Sequence, residues 1–163
     1  VQLLHMAGAV VMLNDISAER LEASRKLFPY LKTYHGDDLA GFVNEQPGGR
    51  GLDIAITACP VPSVQAAMLP LMNYGGRVNF FGGIPESKQP VPINTNLVHY
   101  KELYLTGSTR SSIAQFRKSL EFVAKGLIDC KSVITHTYSL DEVVTAFENA
   151  KATLGIKHVI TFD

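Results

Sequence analysis

The feature that most constrains this fold is the alternation of short apolar runs with helical patterns along the chain. The runs AVVMLN (9–14) and LDIAITA (52–58) are typical of strands that are buried on both faces of a parallel sheet. Between them, residues 18–28 place apolar side chains on one helical face, and Pro29 ends that helix. Strands that alternate with helices predict an α/β fold with a doubly wound parallel sheet.

The second half of the chain continues this alternation. The clearest helix is SIAQFRKSLEFVAKGL (112–127), in which apolar residues recur at helical spacing. Ser139 and Glu142 have the spacing of a capping box and predict a helix that runs to Lys151. The remaining predicted strands are LKTY (31–34), GGRVNFFGG (75–83), LYLTG (103–107), VITHTYS (133–139) and IKHVITF (156–162).

The first residues, VQLLHMAGAVVMLNDIS (1–17), indicate the end of an amphipathic helix, a turn at Gly8 and a buried strand that ends at Asp15. This order is typical of the second half of a βαβ unit that binds a dinucleotide. No helix N-cap precedes the helix, so we expect the first strand and its glycine-rich loop to lie before Val1.

Composition argues against several classes of function. The chain has 15 basic and 15 acidic residues, and its net charge of zero argues against a nucleic acid or an anionic membrane as partner. No apolar run approaches the roughly 18 residues that span a bilayer, and nothing resembles a secretion signal. The two cysteines, Cys59 and Cys130, lie in separate segments, which favours the reducing cytoplasm over a disulfide framework.

Motifs that carry catalytic chemistry are missing from this sequence. It has no G-x-G-x-x-G, no phosphate-binding G-x-x-x-x-G-K-[ST], no H-E-x-x-H, no C-x-x-C and no G-x-S-x-G. The five histidines are scattered, and no cysteine or histidine spacing suggests zinc. We therefore predict no catalytic residue and no metal ligand within this chain.

A binding signature remains at the end of the first apolar strand. Asp15 stands where a carboxylate accepts both hydroxyls of an adenosine ribose and repels a 2′-phosphate. The alternative is an aspartate that merely ends a strand beside the helix cap Ser17. Arg20, one turn into the next helix, reaches the same ribose or is an exposed surface arginine.

Further candidates lie at the ends of later strands. Gly82 lets a flat ring approach the backbone closely, or it forms an ordinary turn. Arg110 in TGSTRSS can meet a phosphate or an amide, or it is an exposed arginine before a helix capped by Ser111. Lys157 can pair with a pyrophosphate, or it protects an edge strand. Their common position is informative because open α/β sheets bind ligands at strand ends.

Four segments together resemble a known family: GGRVNFFGG, LYLTGSTRSS, ITHTYSLDEVVTAFENAK and GIKHVITF. They resemble the cofactor-binding half of the zinc-type medium-chain alcohol dehydrogenases, and within them the sorbitol and threonine dehydrogenase branch. The resemblance extends over essentially the whole chain.

The resemblance implies specific roles on the adenosine side of an NAD molecule. The acid that holds the adenosine ribose corresponds to Asp15, which favours NAD over NADP, and the basic residue near it corresponds to Arg20. The strand end that lines the adenosine corresponds to Ala58 and Cys59. The basic residue on the pyrophosphate corresponds to Lys157.

The resemblance also implies a nicotinamide side. The strand end beside the nicotinamide corresponds to Phe81 and Gly82. Backbone contacts to the carboxamide would come from Ser108 and Thr109, and the arginine that contacts the cofactor in the polyol branch corresponds to Arg110.

At the level of domains, the resemblance implies a Rossmann-type NAD-binding domain over residues 1–132 that lacks its first strand, and a segment 133–163 that returns to a catalytic domain absent from this chain. Zinc would be held by that absent domain. The missing strand is central in the usual order 3-2-1-4-5-6, so two open apolar edges are expected. Dimerisation is expected through the strand from Leu103 to Gly107.

The implied function is the cofactor-binding portion of an NAD-dependent enzyme that transfers a hydride between a secondary alcohol or polyol and NAD. We expect the chain alone to be inactive. Two alternatives stay open at this point: a non-catalytic fragment or assembly module of the same superfamily, and a zinc-free, quinone-reductase-like member.

Overall fold

The computed structural model describes residues 1–46 and 48–162. Two compact units are present in it. The first unit contains residues 1–37 together with the chain from Ser112 onward, and the second contains residues 38–111. Each unit is described below by itself.

The described residues form seven α-helices and seven strands, joined by two one-turn 3-10 helices at Glu86–Lys88 and Leu140–Glu142. The helices are α1 (Gln2–Met6), α2 (Ala18–Leu27), α3 (Leu39–Asn44), α4 (Pro62–Leu71), α5 (Thr95–Tyr100), α6 (Ile113–Ala124) and α7 (Val143–Lys151). The strands are β1 (Met12–Asn14), β2 (Lys32–Tyr34), β3 (Leu52–Thr57), β4 (Met72–Phe80), β5 (Tyr104–Gly107), β6 (Ile134–Tyr138) and β7 (Lys157–Ile160).

The strands pair in parallel, as the sequence predicts for an α/β fold. In the first unit, β1 pairs with β2 and β6 pairs with β7. In the second unit, three strands pair in the order β3-β4-β5. Among the described residues, β4 is the strand with a neighbour on both sides, and each of the other six pairs on one side. The two open edges expected from the sequence stay a prediction.

The core of the second unit lies between its sheet and α4. The buried cluster consists of Ala55, Leu69, Met72, Val78 and Leu103, and Val78 on the middle strand is fully buried. Burial of this kind supplies most of the stability of a small α/β unit. It also holds β4 in place, and the pairing of β3 and β5 with β4 then determines where these two strands end.

Some predicted boundaries shift in the structure for local reasons. β4 ends at Phe80, three residues earlier than predicted, because the chain turns there and the N–H of Phe81 donates to Asn79 O at 3.1 Å. The cap of α6 is Ser112 and not Ser111, since Ser112 and Gln115 form a complete capping box.

In the first unit, α2 and α7 have clear N-terminal signals. The hydroxyl of Ser17 accepts from the N–H of Arg20 at 3.2 Å and caps α2. Ser139 and Glu142 form the predicted capping box at the entry to α7. Leu21 and Ala146 are the buried residues of these two helices. Within residues 1–46 and 48–162, no helix is both long and apolar enough to cross a membrane.

The capping box before α7 gives a prediction about pH. The carboxylate of Glu142 accepts from the backbone N–H and from the hydroxyl of Ser139, both at 2.9 Å. These bonds lower the pKa of Glu142 below its usual 4.5, so their stabilising effect is present above that pH and is lost as the pH falls through the lowered pKa. NMR titration of the intact protein measures this pKa directly.

Ser139→Ala should raise the pKa of Glu142 towards its usual value, because the hydroxyl that favours the charged form is removed. Thr145→Ala, on the same helix, removes a hydroxyl that makes no bond to Glu142 and should leave this pKa unchanged. An equal shift in the two variants would show that the capping box is not the cause.

Candidate functional site

The first group of candidate residues lies where β1 ends and α2 begins. Oδ1 of Asp15 accepts from the N–H of Ser17 at 2.8 Å and from Nη2 of Arg20 at 3.1 Å. About a third of each charged side chain is exposed, 29% for Asp15 and 33% for Arg20. The fold therefore brings these two predicted residues together as an ion pair at the N-terminus of a helix.

This ion pair has unused hydrogen-bonding groups on both sides. Nε of Arg20 is buried and has no partner among the described residues, and Oδ2 of Asp15 takes part in none of the hydrogen bonds found there. A buried donor without a partner costs free energy. For Oδ2 of Asp15, a ribose diol is a suitable partner because its hydroxyls donate.

The second group of candidates lies at the carboxyl ends of β3, β4 and β5. These three strands are neighbours in one parallel sheet, so their ends lie along the same edge. Ala58 and Phe81 are exposed there, and Cys59 is half-buried with a free thiol. The structure thus places the residues that follow the three strands next to one another.

Gly82 lies against the backbone at the end of β3. Its N–H donates to Thr57 O at 2.7 Å. A Cβ built on Gly82 would come within 2.7–2.9 Å of the backbone N, C and O atoms of Cys59, which is closer than real side chains approach. Glycine is therefore required at this position by the contact between the two strand ends. Its approach to a cofactor stays a prediction.

Ser108, Thr109 and Arg110 follow β5 and are exposed. The hydroxyl of Ser108 donates to Oδ1 of Asn79 at 3.1 Å, and Nδ2 of Asn79 donates to the hydroxyl of Thr106 at 3.2 Å. Arg110 has a φ of +57°, a left-handed conformation that is uncommon for a residue with a side chain. Such backbone outliers are concentrated at functional sites.

Lys157 is the first residue of β7 and is exposed. Its N–H lies 3.3 Å from the hydroxyl of Thr135, which ties it to β6. Lys157, Asp15 and Arg20 all belong to the first unit, but within the described ranges no ion pair or hydrogen bond joins Lys157 to the other two. The pyrophosphate role of Lys157 stays a prediction.

A cavity of about 600 Å³ opens beside the end of β4 in the second unit. Its wall is lined by Gln65, Phe80, Gly82, Gly83, Ile84, Glu86, Gln89, Pro90 and Val91. Sequence reasoning did not identify Gln65, although one glutamine in the otherwise apolar helix PSVQAAMLPL is a visible signal. Among the residues that the structure describes, no three metal-binding side chains lie together.

Comparison with known proteins gives a consistent result. A family model described as "Zinc-binding dehydrogenase" matches residues 1–125. L-threonine 3-dehydrogenase of Pectobacterium carotovorum is 29% identical over 161 residues, a match that covers 98% of this chain and 46% of that enzyme. A probable D-xylulose reductase A of Aspergillus terreus is 32% identical over 153 residues, a match that covers 90% of this chain and 42% of that enzyme. The chain spans about half the length of the curated relatives that it matches.

Solved structures agree with the fold. A zinc-binding dehydrogenase from Sinorhizobium meliloti bound to NADP superposes with a TM-score of 0.84 and 26% identity, covering 99% of this chain and 48% of that one. A structure described as a short chain alcohol dehydrogenase from E. coli CFT073, complexed with NADH, superposes with a TM-score of 0.83 and 23% identity. The match covers 99% of this chain and 48% of that one. The second likeness is evidence for the fold alone.

The glycine pair after β4 gives a sharp test of this geometry. Gly82→Ala should lower the free energy of unfolding by about 1–3 kcal/mol, because the new Cβ meets the Cys59 backbone, which cannot move aside easily. Gly83→Ala is the matched control, since nothing lies within 4 Å of a Cβ there. Thermal and denaturant unfolding of the intact protein would measure both, and equal effects would contradict the close approach.

Proposed function

Since this chain belongs to the zinc-binding dehydrogenase family, we propose that it is the part of an enzyme that binds NAD while a hydride is exchanged with a secondary alcohol or polyol. The observation that carries this proposal is the alignment of three adjacent parallel strand ends, those of β3, β4 and β5, along one edge. Open α/β sheets bind their ligands at this position. The names of the relatives, a threonine 3-dehydrogenase and a xylulose reductase, support the class of substrate.

For the adenosine ribose, we propose Asp15 and Arg20. Oδ2 of Asp15 would accept from the ribose hydroxyls, and the exposed part of the Arg20 guanidinium would donate to a hydroxyl oxygen. A carboxylate in this place repels a 2′-phosphate, which favours NAD over NADP. Among the structural neighbours one holds NADH and another holds NADP, so the preference has to be argued from this residue.

For the rest of the cofactor, we propose contacts with the residues at the ends of β3, β4 and β5. Ala58 and Cys59 would line the adenosine side, and Phe81 with Gly82 would face the nicotinamide. The exposed backbone of Ser108 and Thr109 would bond the carboxamide.

Arg110 and Lys157 would supply positive charge to the cofactor. The exposure of Arg110 after β5 supports this role, because it leaves the guanidinium accessible. Lys157 carries a charge suited to a pyrophosphate, and its exposure at the start of β7 leaves it accessible.

When bound, NAD supplies the carbon that accepts the hydride. The residues of this chain bind and orient the cofactor, and they hold the nicotinamide against the apolar surface around Phe81. The donor set of the described residues does not fit a zinc ion, since no three ligands lie together. We therefore propose that the zinc ligands and most substrate contacts belong to polypeptide outside this chain.

We also propose that the enzyme works in a reducing compartment such as the cytoplasm. Cys59 is half-buried and Cys130 is exposed, and both are free thiols. Free thiols of this kind persist where the environment keeps cysteines reduced.

Asp15→Asn tests the cofactor assignment. In the intact protein it should weaken NADH binding by about tenfold and improve NADPH binding relative to NADH, because the charge that bonds the diol and repels a 2′-phosphate is removed. Fluorescence titration with both nucleotides measures this. Glu22→Gln, on the neighbouring helix α2, neutralises an exposed acid paired with Arg25 and should change neither affinity. Unchanged NADH binding in Asp15→Asn would exclude the ribose role.

The edge strand β5 is the proposed dimer contact. It pairs with β4 on one side only among the described residues, and Tyr104 on it is 58% exposed. An unpaired edge is a template for strand pairing, so two copies can extend the sheet through β5.

Tyr104→Lys should convert a dimer into a monomer in analytical ultracentrifugation, because a charged edge residue opposes strand pairing. Tyr100→Lys makes the same chemical change at a residue of α5 that is 72% exposed, and it should leave the assembly intact. A monomeric wild-type protein, or a dimer that survives Tyr104→Lys, would show that β5 is not the interface.

A further inference from the structure

Gln65 is a buried polar side chain in the first turn of α4. Only 8% of its surface is exposed, and most other residues of this helix are apolar. Burying a side-chain amide is unfavourable unless the amide is hydrogen-bonded. A glutamine in this position therefore indicates a specific partner.

The partner of Gln65 is the backbone of Gly82. Nε2 of Gln65 donates to Gly82 O at 2.9 Å, and the N–H of Gly82 donates to Thr57 O at 2.7 Å. Both backbone polar groups of Gly82 are thus bonded within the protein, one to helix α4 and the other to strand β3. The peptide groups on either side of Gly82 cannot rotate without breaking one of these bonds.

The two hydrogen bonds of Gly82 link three elements at the candidate site, namely helix α4, strand β3 and the segment after β4. Gly82 already lies against the backbone of Cys59, and Gln65 holds it there from the helix side. Gln65 and Gly82 both line the cavity of about 600 Å³ beside β4, so their hydrogen bond is part of its wall. Removing the bond would leave the N–H of Gly82, bonded to Thr57 O, as the backbone group that still holds this residue, while β3 and β4 stay paired.

We propose that Gln65 is a positioning residue for the cofactor, acting through the backbone of Gly82 and making no contact with the cofactor itself. Through Gly82 it sets the position of Phe81 and of the adjoining end of β3 at Cys59. This inference rests on the proposed function, because it assigns Gln65 a part in NAD binding. It adds a residue that determines the shape of the nicotinamide side of the site.

Gln65→Met is the first test, because methionine has nearly the same size and lacks the N–H donor. We expect the dissociation constant of NADH to rise by about tenfold in the intact protein, since Gly82 O is left without its donor. The KM for NAD should rise with it, while kcat at saturating NAD should change by less than about twofold.

Gln46→Met is the matched control. Nε2 of Gln46 also donates to a backbone carbonyl in the same unit, that of Phe42 at 2.8 Å, but Gln46 precedes β3 and lies before its amino end. Both variants should lower the melting temperature, whereas only Gln65→Met should weaken NADH binding. A purely structural role for Gln65 would lower stability and leave the affinity for NADH unchanged.

Gln65→Glu is a second test, in which the side chain keeps its size and only its terminal hydrogen-bonding group changes. A charged carboxylate repels Gly82 O, whereas a protonated carboxyl donates to it, and burial raises the pKa of a carboxyl. NADH binding by this variant, relative to the wild type at the same pH, should therefore be weaker where the new carboxyl is charged than where it is protonated. A charged carboxyl at this position with an NADH affinity equal to that of the wild type would overturn the proposal, even where Gln65→Met does not fold.

The outcomes separate this inference from the function on which it rests. A wild-type protein that does not bind NADH would overturn the proposed function and the inference together. A wild-type protein that binds NADH, with Gln65→Met equal to it in affinity, would overturn the inference alone.

Discussion

The parallel pairing of β3, β4 and β5 is the constraint on which the candidate site depends. Parallel strands end at the same edge, so one pairing brings three segments together that are far apart in sequence. Val78 is fully buried on the middle strand, and it packs with Ala55 of β3 and Leu69 of α4. The apolar core therefore fixes the register, and the register in turn fixes which residues stand at the strand ends.

At these ends the second unit uses some of its polar groups in its own hydrogen bonds and leaves others accessible. Gly82 has both backbone groups bonded to the protein, whereas the side chain of Arg110 is exposed. In the first unit, Oδ1 of Asp15 accepts from the N–H of Ser17 and from Arg20, and Oδ2 remains. A ligand that bonds to either unit meets a scaffold whose own hydrogen bonds are already made, which reduces the cost of ordering on binding.

Sequence patterns predicted much of this arrangement, and their failures have physical causes. The capping box of Ser139 and Glu142 was predictable because it is a local signal over four residues. Ser111 was wrong as the cap of α6, since Ser111 and Ser112 are both capping residues and only Gln115 decides between them. Gln65 was missed because its partner is seventeen residues away and the pattern of the helix does not reveal it.

The sequence by itself determined the α/β class, the parallel strands and the family resemblance, because strand and helix periodicities and caps depend on neighbours a few residues apart. It also determined that Asp15 and Arg110 follow strands. Only the tertiary structure decided that Gly82 must lie on the backbone of Cys59 and that Gln65 holds it there. Contacts of this kind depend on how strands pair and how a helix packs on them, and no periodicity in the chain encodes the distance between two specific atoms.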